Sequence, residues 1–199
     1  MVPPLAVDID GTLTRPDTSI DPRVIDPLRD WDAPVVVATG KAFPYPVALC
    51  AFLGIPTNVV AETYRESGRD LGWGAVDPVN RWRETELAVA RDRPLAPLER
   101  VAADHGMQVV DTGYAYHAKS PAVDKGEGLE TAAGLLGLSA ESFVAVGDSE
   151  NDAAAFDLAG RSFAVANADD AALTAADEVT EAAFADGFLE ALSAVRNQG

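Results

Sequence analysis

Short, continuous apolar runs alternate with helix-like segments at both ends of the chain, and this alternation restricts the fold more than any other feature. Leu5–Val7 and residues 34–38 are predicted strands near the N-terminus, and residues 143–146 form a similar run later in the chain. Runs without polar alternation are typical of strands buried on both faces, as in a parallel sheet covered by helices. We therefore predict an α/β protein with a doubly wound, Rossmann-like parallel sheet.

The other elements of this sheet and its helices follow from helical spacing and from proline and glycine positions. We predict helices at 21–31, 47–53, 125–137, 152–158, 171–175 and 184–195, and strands at 58–61, 163–166 and 178–180.

The alternation is interrupted from about Tyr64 to Pro121, where charge density rises and tryptophans occur. Within this stretch we predict a helix at 97–105 and a hairpin of strands 107–110 and 114–118 around Asp111-Thr112-Gly113, a glycine-containing three-residue loop. The chain is therefore predicted to have a core of residues 1–63 and 122–199 and a small inserted α+β domain of residues 64–121.

The charge balance restricts the possible partners. Fifteen basic and thirty-two acidic residues give a net charge of −17, which repels nucleic acids and anionic membrane surfaces. Lysine occurs only at Lys41, Lys119 and Lys125, and the acidic, lysine-poor composition favours a salt-adapted protein over an ordinary acidic one. No apolar run reaches the roughly 20 residues needed to span a bilayer, so we expect a cytoplasmic protein that binds no membrane. We expect it to be a monomer or a homodimer.

Two carboxylates, Asp8 and Asp10, follow the first predicted strand, and Gly11 then allows a sharp turn. A nucleophilic carboxylate beside a proton-transferring one would suit such a position. The same pattern occurs in solvated turns and calcium loops, so these residues alone leave the alternatives equally open.

Polar residues also follow two other predicted strands. Thr39 and Gly40 end the second strand, where a hydroxyl and an open backbone suit a phosphoryl group, although Thr39 could instead cap a helix. Asp148 and Asp152 follow the strand at 143–146, with turn and helix-capping roles as their alternatives. Since parallel strands end at the same edge of a sheet, these side chains should converge.

The predicted cluster has the composition of a magnesium site. Asp8, Asp148 and Asp152 supply hard oxygen ligands of the kind that Mg²⁺ prefers. Lys125, which precedes a predicted helix, is a candidate counter-charge for carboxylates and phosphoryl oxygens, its alternative being a solvated surface lysine.

Four segments together resemble the motifs of haloacid dehalogenase-superfamily phosphatases in order and spacing. They are Asp8-Ile9-Asp10-Gly11-Thr12, Ala38-Thr39-Gly40, Asp124-Lys125-Gly126 and Gly147-Asp148-Ser149-Glu150-Asn151-Asp152. The resemblance covers the first sixty residues and everything after about Val123, and it implies that the insert is a C2-type cap. Within the superfamily, the chain looks most like archaeal phosphoglycolate phosphatases.

The resemblance implies a phosphomonoester hydrolase that acts on a small phosphorylated metabolite through an aspartyl-phosphate. Asp8 would be the nucleophile, and Asp10 would protonate the leaving group and then activate water. Thr39, Gly40 and Lys125 would bind the phosphoryl group. Mg²⁺ would be bound by the side chains of Asp8, Asp148 and Asp152 and by the backbone carbonyl of Asp10.

One segment departs from the family pattern. Members commonly continue the strand at 58–61 with Glu-Asn-Gly, whereas this chain continues with Glu62-Thr63-Tyr64, and its insert is short. We therefore expect a different entrance to the cap and keep a sugar-phosphate phosphatase or a phosphomannomutase-like enzyme as alternatives. A receiver-like signalling domain, the non-enzyme alternative, would need neither Asp10 nor an insert of this size.

Overall fold

The structure is a computed structural model that describes residues 2–41, 44–61, 86–111 and 115–197. The described residues divide into two compact units. The first comprises those of Met1–Thr39, Pro46–Val60 and Lys125–Gly199, and the second those of Gly40–Tyr45 and Ala61–Asp124. The departure at Glu62-Thr63-Tyr64 and the tip of the predicted hairpin, residues 112–114, lie outside the described residues.

A six-stranded sheet forms the centre of the first unit, in the order β3-β2-β1-β7-β8-β9. Its strands are β1 (Leu5–Val7), β2 (Val35–Thr39), β3 (Val59–Ala61), β7 (Val144–Gly147), β8 (Arg161–Ala164) and β9 (Glu178–Val179). β1 is parallel to both β2 and β7, with Val7 opposite Val37 and Val146. β1, β2 and β7 are buried along their whole length, as their continuous apolar runs predict.

Helices cover both faces of this sheet, so the predicted doubly wound α/β class is confirmed. On one face Leu5, Val7 and Val37 pack with apolar residues of α1 (Ile25–Arg29), α2 (Pro44–Leu53) and α7 (Phe184–Arg196). On the other face Ala6 and Val36 pack with α4 (Lys125–Leu135), α5 (Ala153–Leu158) and α6 (Asp170–Ala175). These two cores hold the ends of the central strands in fixed positions.

Several predicted boundaries differ from the observed ones. The segment predicted as one helix at 21–31 is a short 3-10 turn, Pro22–Val24, followed by α1, because a proline at the third position of α1 confines the regular helix to a few residues. A similar 3-10 turn, Glu150–Asp152, precedes α5, and β8 begins two residues earlier than predicted.

The second unit contains a three-stranded antiparallel sheet in the order β4-β6-β5. Its strands are β4 (Glu86–Ala90), β5 (Gln108–Asp111) and β6 (Ala115–Lys119), and α3 (Leu95–Asp104) packs on one face through Leu98 and Ala102. The α+β composition and the β5–β6 pair agree with the sequence-based expectation, whereas β4 was not predicted. In the described part of the chain, none of the helices has the length and apolar character that a membrane span requires.

Candidate active site

Asp8 lies directly beyond β1, at the edge of the sheet where the parallel strands end. Its backbone N–H donates to the carbonyl of Val146 in β7 at 3.0 Å, and its side chain is almost completely buried. The chain then turns at Gly11, whose φ of +83° is one that L side chains rarely adopt. A Cβ atom on Gly11 would lie 1.9 Å from Oδ2 of Asp148. The turn therefore brings the loop after β1 (residues 8–14, the first loop) against the loop after β7.

Lys125 is the first residue of α4, and its side chain is fully buried. Its Nζ donates to Oδ1 of Asp8 at 2.7 Å and to Oδ1 of Asp152 at 2.6 Å. A Cβ atom on Gly126 would lie 2.7 Å from the backbone oxygen of Ala154, so the start of α4 can lie this close to α5 only because Gly126 has no side chain. The surface-lysine alternative for Lys125 is thus wrong.

The loop after β7 (residues 148–152, the acidic loop) is organised by Asp152. Its Oδ2 accepts from the backbone N–H of Asp148 at 3.0 Å and of Ser149 at 3.1 Å, while its Oδ1 accepts from Lys125. Ser149 and Asp152 form a reciprocal capping box around the 3-10 turn. Asp152 therefore stabilises the start of this turn and also contacts Lys125.

Burial and mutual repulsion change the acidity of this cluster. Burial, opposed by Lys125 and reinforced by Asp152 and Asp10, raises the pKa of Asp8 to about 7. Burial together with the charges of Asp8 and Asp152 raises the pKa of Asp148 to about 8. Without a bound cation, Asp8 and Asp148 therefore remain partly protonated near neutral pH.

The acidic cluster could hold a metal ion. Asp8, Asp148 and Asp152 each offer a carboxylate oxygen, and these oxygens lie within 4.8 Å of one another. When all three are ionised, a single lysine leaves a net negative charge that a divalent cation would offset. Oxygen-only ligands of this kind suit Mg²⁺.

Three further site residues were predicted from the sequence: Thr39, Asp10 and Gly40. Thr39 is the buried last residue of β2 and lies at the same edge of the sheet as Asp8. The side chain of Asp10 is exposed on the first loop. Gly40 follows Thr39 in the chain but belongs to the second unit.

Other contacts of the two loops were not predicted. The hydroxyl of Thr12 lies 3.4 Å from Oδ1 of Asp148. The side-chain amide of Asn167 donates to the backbone oxygen of Gly11 at 3.1 Å, although 156 residues separate them. No local sequence pattern marks such a contact, although the position of Asn167 just after β8 could have suggested it.

Known relatives agree with this fold and site. Residues 107–192 match the family of haloacid dehalogenase-like hydrolases. Over 224 aligned positions the chain is 61% identical to a phosphoglycolate phosphatase of Natronomonas pharaonis, with 99% of both proteins covered. It is 52% identical to a phosphoglycolate phosphatase of Haloarcula marismortui, with 98% of both covered. The first alignment is longer than the 199 residues of this chain, so it includes positions at which the chain has no residue.

Solved structures show the same fold. The crystal structure of Thermoplasma acidophilum 0175 aligns with a TM-score of 0.81 at 22% identity, covering 98% of this chain and 99% of that one. A haloacid dehalogenase-like hydrolase from Bacteroides thetaiotaomicron aligns with a TM-score of 0.75 at 18% identity, covering 98% and 100%. Together with the extensive identity to the archaeal relatives, these likenesses establish that the chain belongs to the haloacid dehalogenase-like hydrolases.

Proposed function

We propose that this hydrolase is a Mg²⁺-dependent phosphomonoesterase that cleaves 2-phosphoglycolate to glycolate and phosphate through an aspartyl-phosphate. The observation that carries the proposal is the group of Asp8, Asp148, Asp152 and Lys125 at the edge where the parallel strands end, all of them buried except the half-buried Asp148. The names of the relatives in Natronomonas and Haloarcula support the choice of substrate.

Phosphoryl transfer to the protein is the first step. The carboxylate of Asp8 attacks the substrate phosphorus while the bond from phosphorus to the ester oxygen breaks. Asp10, two residues further on the exposed first loop, gives its proton to the departing oxygen. Lys125 contacts Asp8 and carries positive charge next to the site of attack, where it can stabilise the transferring phosphoryl oxygens together with Thr39 and Gly40.

Hydrolysis of the aspartyl-phosphate is the second step. Asp10, now ionised, takes a proton from a water molecule that attacks the phosphorus, and the bond between phosphorus and the Asp8 oxygen breaks. Phosphate leaves, and both carboxylates return to their starting states. The exposure of Asp10 suits a group that exchanges protons with a leaving group and with water.

The side chains of Asp8, Asp148 and Asp152 would hold the magnesium ion, with the backbone carbonyl of Asp10. When bound, Mg²⁺ would offset the repulsion between the carboxylates and an anionic phosphate. The residues of the chain supply the remaining chemistry: Asp8 the nucleophile, Asp10 the proton transfers and Lys125 a positive charge beside Asp8.

Substrate preference tests the proposal. With saturating Mg²⁺, we expect kcat/KM for 2-phosphoglycolate to exceed that for glucose 6-phosphate and mannose 6-phosphate by at least about tenfold, since a polar mismatch in a specific site is costly. The measurement is phosphate release from a panel of small phosphate esters. A higher kcat/KM for a sugar phosphate would favour the alternative sugar-phosphate phosphatase, and no release from any ester would overturn the proposal.

Metal binding should stabilise the protein more strongly at higher pH. The pKa values of Asp8 and Asp148 are raised from 3.8 to about 7 and about 8. The folded state therefore binds these protons more tightly than the unfolded state does. The resulting contribution to the free energy of unfolding is complete below pH 3.8 and is lost as the pH rises through 7 and 8. Because Mg²⁺ binds the ionised carboxylates, we expect a larger Mg²⁺-dependent rise in Tm at pH 8 than at pH 6, with about 2.7 kcal/mol of stabilisation at a hundredfold excess over Kd.

Thermal unfolding at constant ionic strength, with KCl replacing MgCl₂ as the control, measures this effect. Asp148→Asn should reduce the Mg²⁺-dependent rise, because it removes one of the three carboxylates. An equal rise at both pH values, or an unchanged rise in Asp148→Asn, would show that Mg²⁺ binds elsewhere.

A further inference from the structure

The turn after β8 (residues 165–169) contacts both loops of the candidate site. β8 lies beside β7 and is separated from β1 by that strand. The turn nevertheless bonds to the first loop after β1 and to the acidic loop after β7. This one turn therefore contacts both the loop that carries Asp8 and Asp10 and the loop that carries Asp148 and Asp152.

Asn167 connects the first loop to the start of α7. Its Nδ2 donates to the backbone oxygen of Gly11 at 3.1 Å, and its Oδ1 accepts from the backbone N–H of Phe184 at 2.6 Å. The two partners determine the orientation of the amide, because a carbonyl requires a donor and an N–H requires an acceptor. Phe184 has a φ of +56°, a value rare for L side chains, and its N–H is bonded to Asn167.

Both backbone polar groups of Gly11 are thereby bonded. Its N–H donates to the hydroxyl of Thr14 at 2.9 Å, and its carbonyl accepts from Asn167. The N–H of Gly11 belongs to the same peptide unit as the carbonyl of Asp10. Asn167 bonds the next peptide unit and so restricts the rotation of the backbone that follows Asp10.

Asp169 holds the acidic loop from its outer side. Its backbone N–H donates to the carbonyl of Asp148 at 2.9 Å, and its Oδ2 accepts from the backbone N–H of Glu150 at 2.8 Å. Its Oδ1 accepts from the N–H of Ala172 and caps α6. Asp152 holds the same loop from its inner side through the N–H groups of Asp148 and Ser149.

We infer that Asn167 and Asp169 are positioning residues with separate tasks: Asn167 orients the proton-transferring Asp10, and Asp169 orients the acidic loop for metal binding. This inference rests on the proposed function for the roles of Asp10 and the metal. Neither residue touches the reacting atoms, so each acts through the backbone of the loop that it bonds.

Asn167→Asp tests the first task. The variant keeps the acceptor for the N–H of Phe184 but removes the donor to the carbonyl of Gly11. We expect kcat for an alkyl phosphate to fall about 10–100-fold and KM to change less than about threefold. The reason is that a misplaced proton donor affects the reaction more than binding. In single-turnover experiments, p-nitrophenyl phosphate, whose leaving group departs without a proton, should show a much smaller loss in the phosphorylation step.

Asn58→Asp is the matched control. Asn58 donates through Nδ2 to the carbonyl of Val35 at 3.2 Å, at the opposite end of β2 from Thr39, so the same chemical change occurs away from the site. We expect the control to leave the dependence on the leaving group unchanged. If Asn167→Asp slowed both leaving groups equally, Asn167 would be only structural; if it matched the control, the positioning role would be wrong.

Asp169→Asn tests the second task. Asparagine still caps α6 well, but its single side-chain oxygen cannot also accept from the N–H of Glu150. We expect Mg²⁺ to bind about tenfold more weakly, a usual effect of losing a hydrogen bond that orients metal ligands. Isothermal calorimetry measures this without turnover. Asp170→Asn removes a neighbouring negative charge and is the control; equal Mg²⁺ affinities in the two variants would contradict the role of Asp169.

The same set of proteins separates this inference from the proposed function. A wild-type protein without Mg²⁺-dependent phosphatase activity would refute the proposed function. An active wild-type protein whose Asn167→Asp and Asp169→Asn variants behave like their controls would refute the positioning roles alone.

Discussion

Asp8→Asn is expected to reduce phosphatase turnover by at least about 10⁴-fold, as is usual when the nucleophile of a covalent mechanism is removed. An amide is a far weaker nucleophile than a carboxylate and cannot form the aspartyl-phosphate. The replacement is nearly isosteric, and Lys125 retains its contact with Asp152, so the fold should persist. Steady-state phosphate release and trapping of labelled phosphoprotein by rapid acid quench are the two measurements.

The stability of this variant distinguishes lost chemistry from lost structure. Burial raises the pKa of Asp8 to about 7, so above that pH its charge opposes folding. Metal-free Asp8→Asn should therefore be at least as stable as wild type at pH 8. The activity control is Asp157→Asn, which makes the same chemical change at an exposed residue of α5. If Asp8→Asn turned over substrate as fast as this control, a covalent mechanism through Asp8 would be refuted.

The sheet and the convergence of its polar ends could be predicted because both depend on local patterns. Continuous apolar runs identified β1, β2 and β7, and parallel strands necessarily end at the same edge. Asp8, Asp148 and Asp152 were therefore expected together, and the structure places their carboxylate oxygens within 4.8 Å. Their place in sequence, directly after strands, was sufficient for this inference.

Contacts that depend on packing distance could not be predicted. Lys125 was expected as a counter-charge, but its full burial and its simultaneous contact with Asp8 and Asp152 accompany the close approach of α4 to α5 at Gly126, which sequence spacing does not reveal. The Asn167–Gly11 bond joins residues 156 positions apart. β4 was missed because it begins at Glu86, a buried charged residue, and lies within a charged stretch of the sequence.

Lys125→Met is expected to destabilise the metal-free protein by about 3–5 kcal/mol at pH 8, the usual effect of removing one partner of a buried ion pair. Methionine preserves much of the apolar stem but leaves Asp8 and Asp152 without their shared cation. Because Lys125 lowers the pKa of Asp8 and Asp148, its removal raises both values further. The lost stability should therefore grow as the pH rises above 3.8, and the loss should be smaller at pH 5 than at pH 8.

Denaturant unfolding at pH 5 and pH 8, with a chelator and constant high KCl to screen the surface charge, measures this difference. The double variant Asp8→Asn/Lys125→Met has one carboxylate fewer and should recover part of the stability lost at pH 8, so the two substitutions should be non-additive. Activity should fall about 10²–10³-fold in Lys125→Met, since a fixed charge next to the transferring phosphoryl group is lost. Equal destabilisation at both pH values, with additive substitutions, would mean that Lys125 stabilises the fold by packing and that charge neutralisation contributes little.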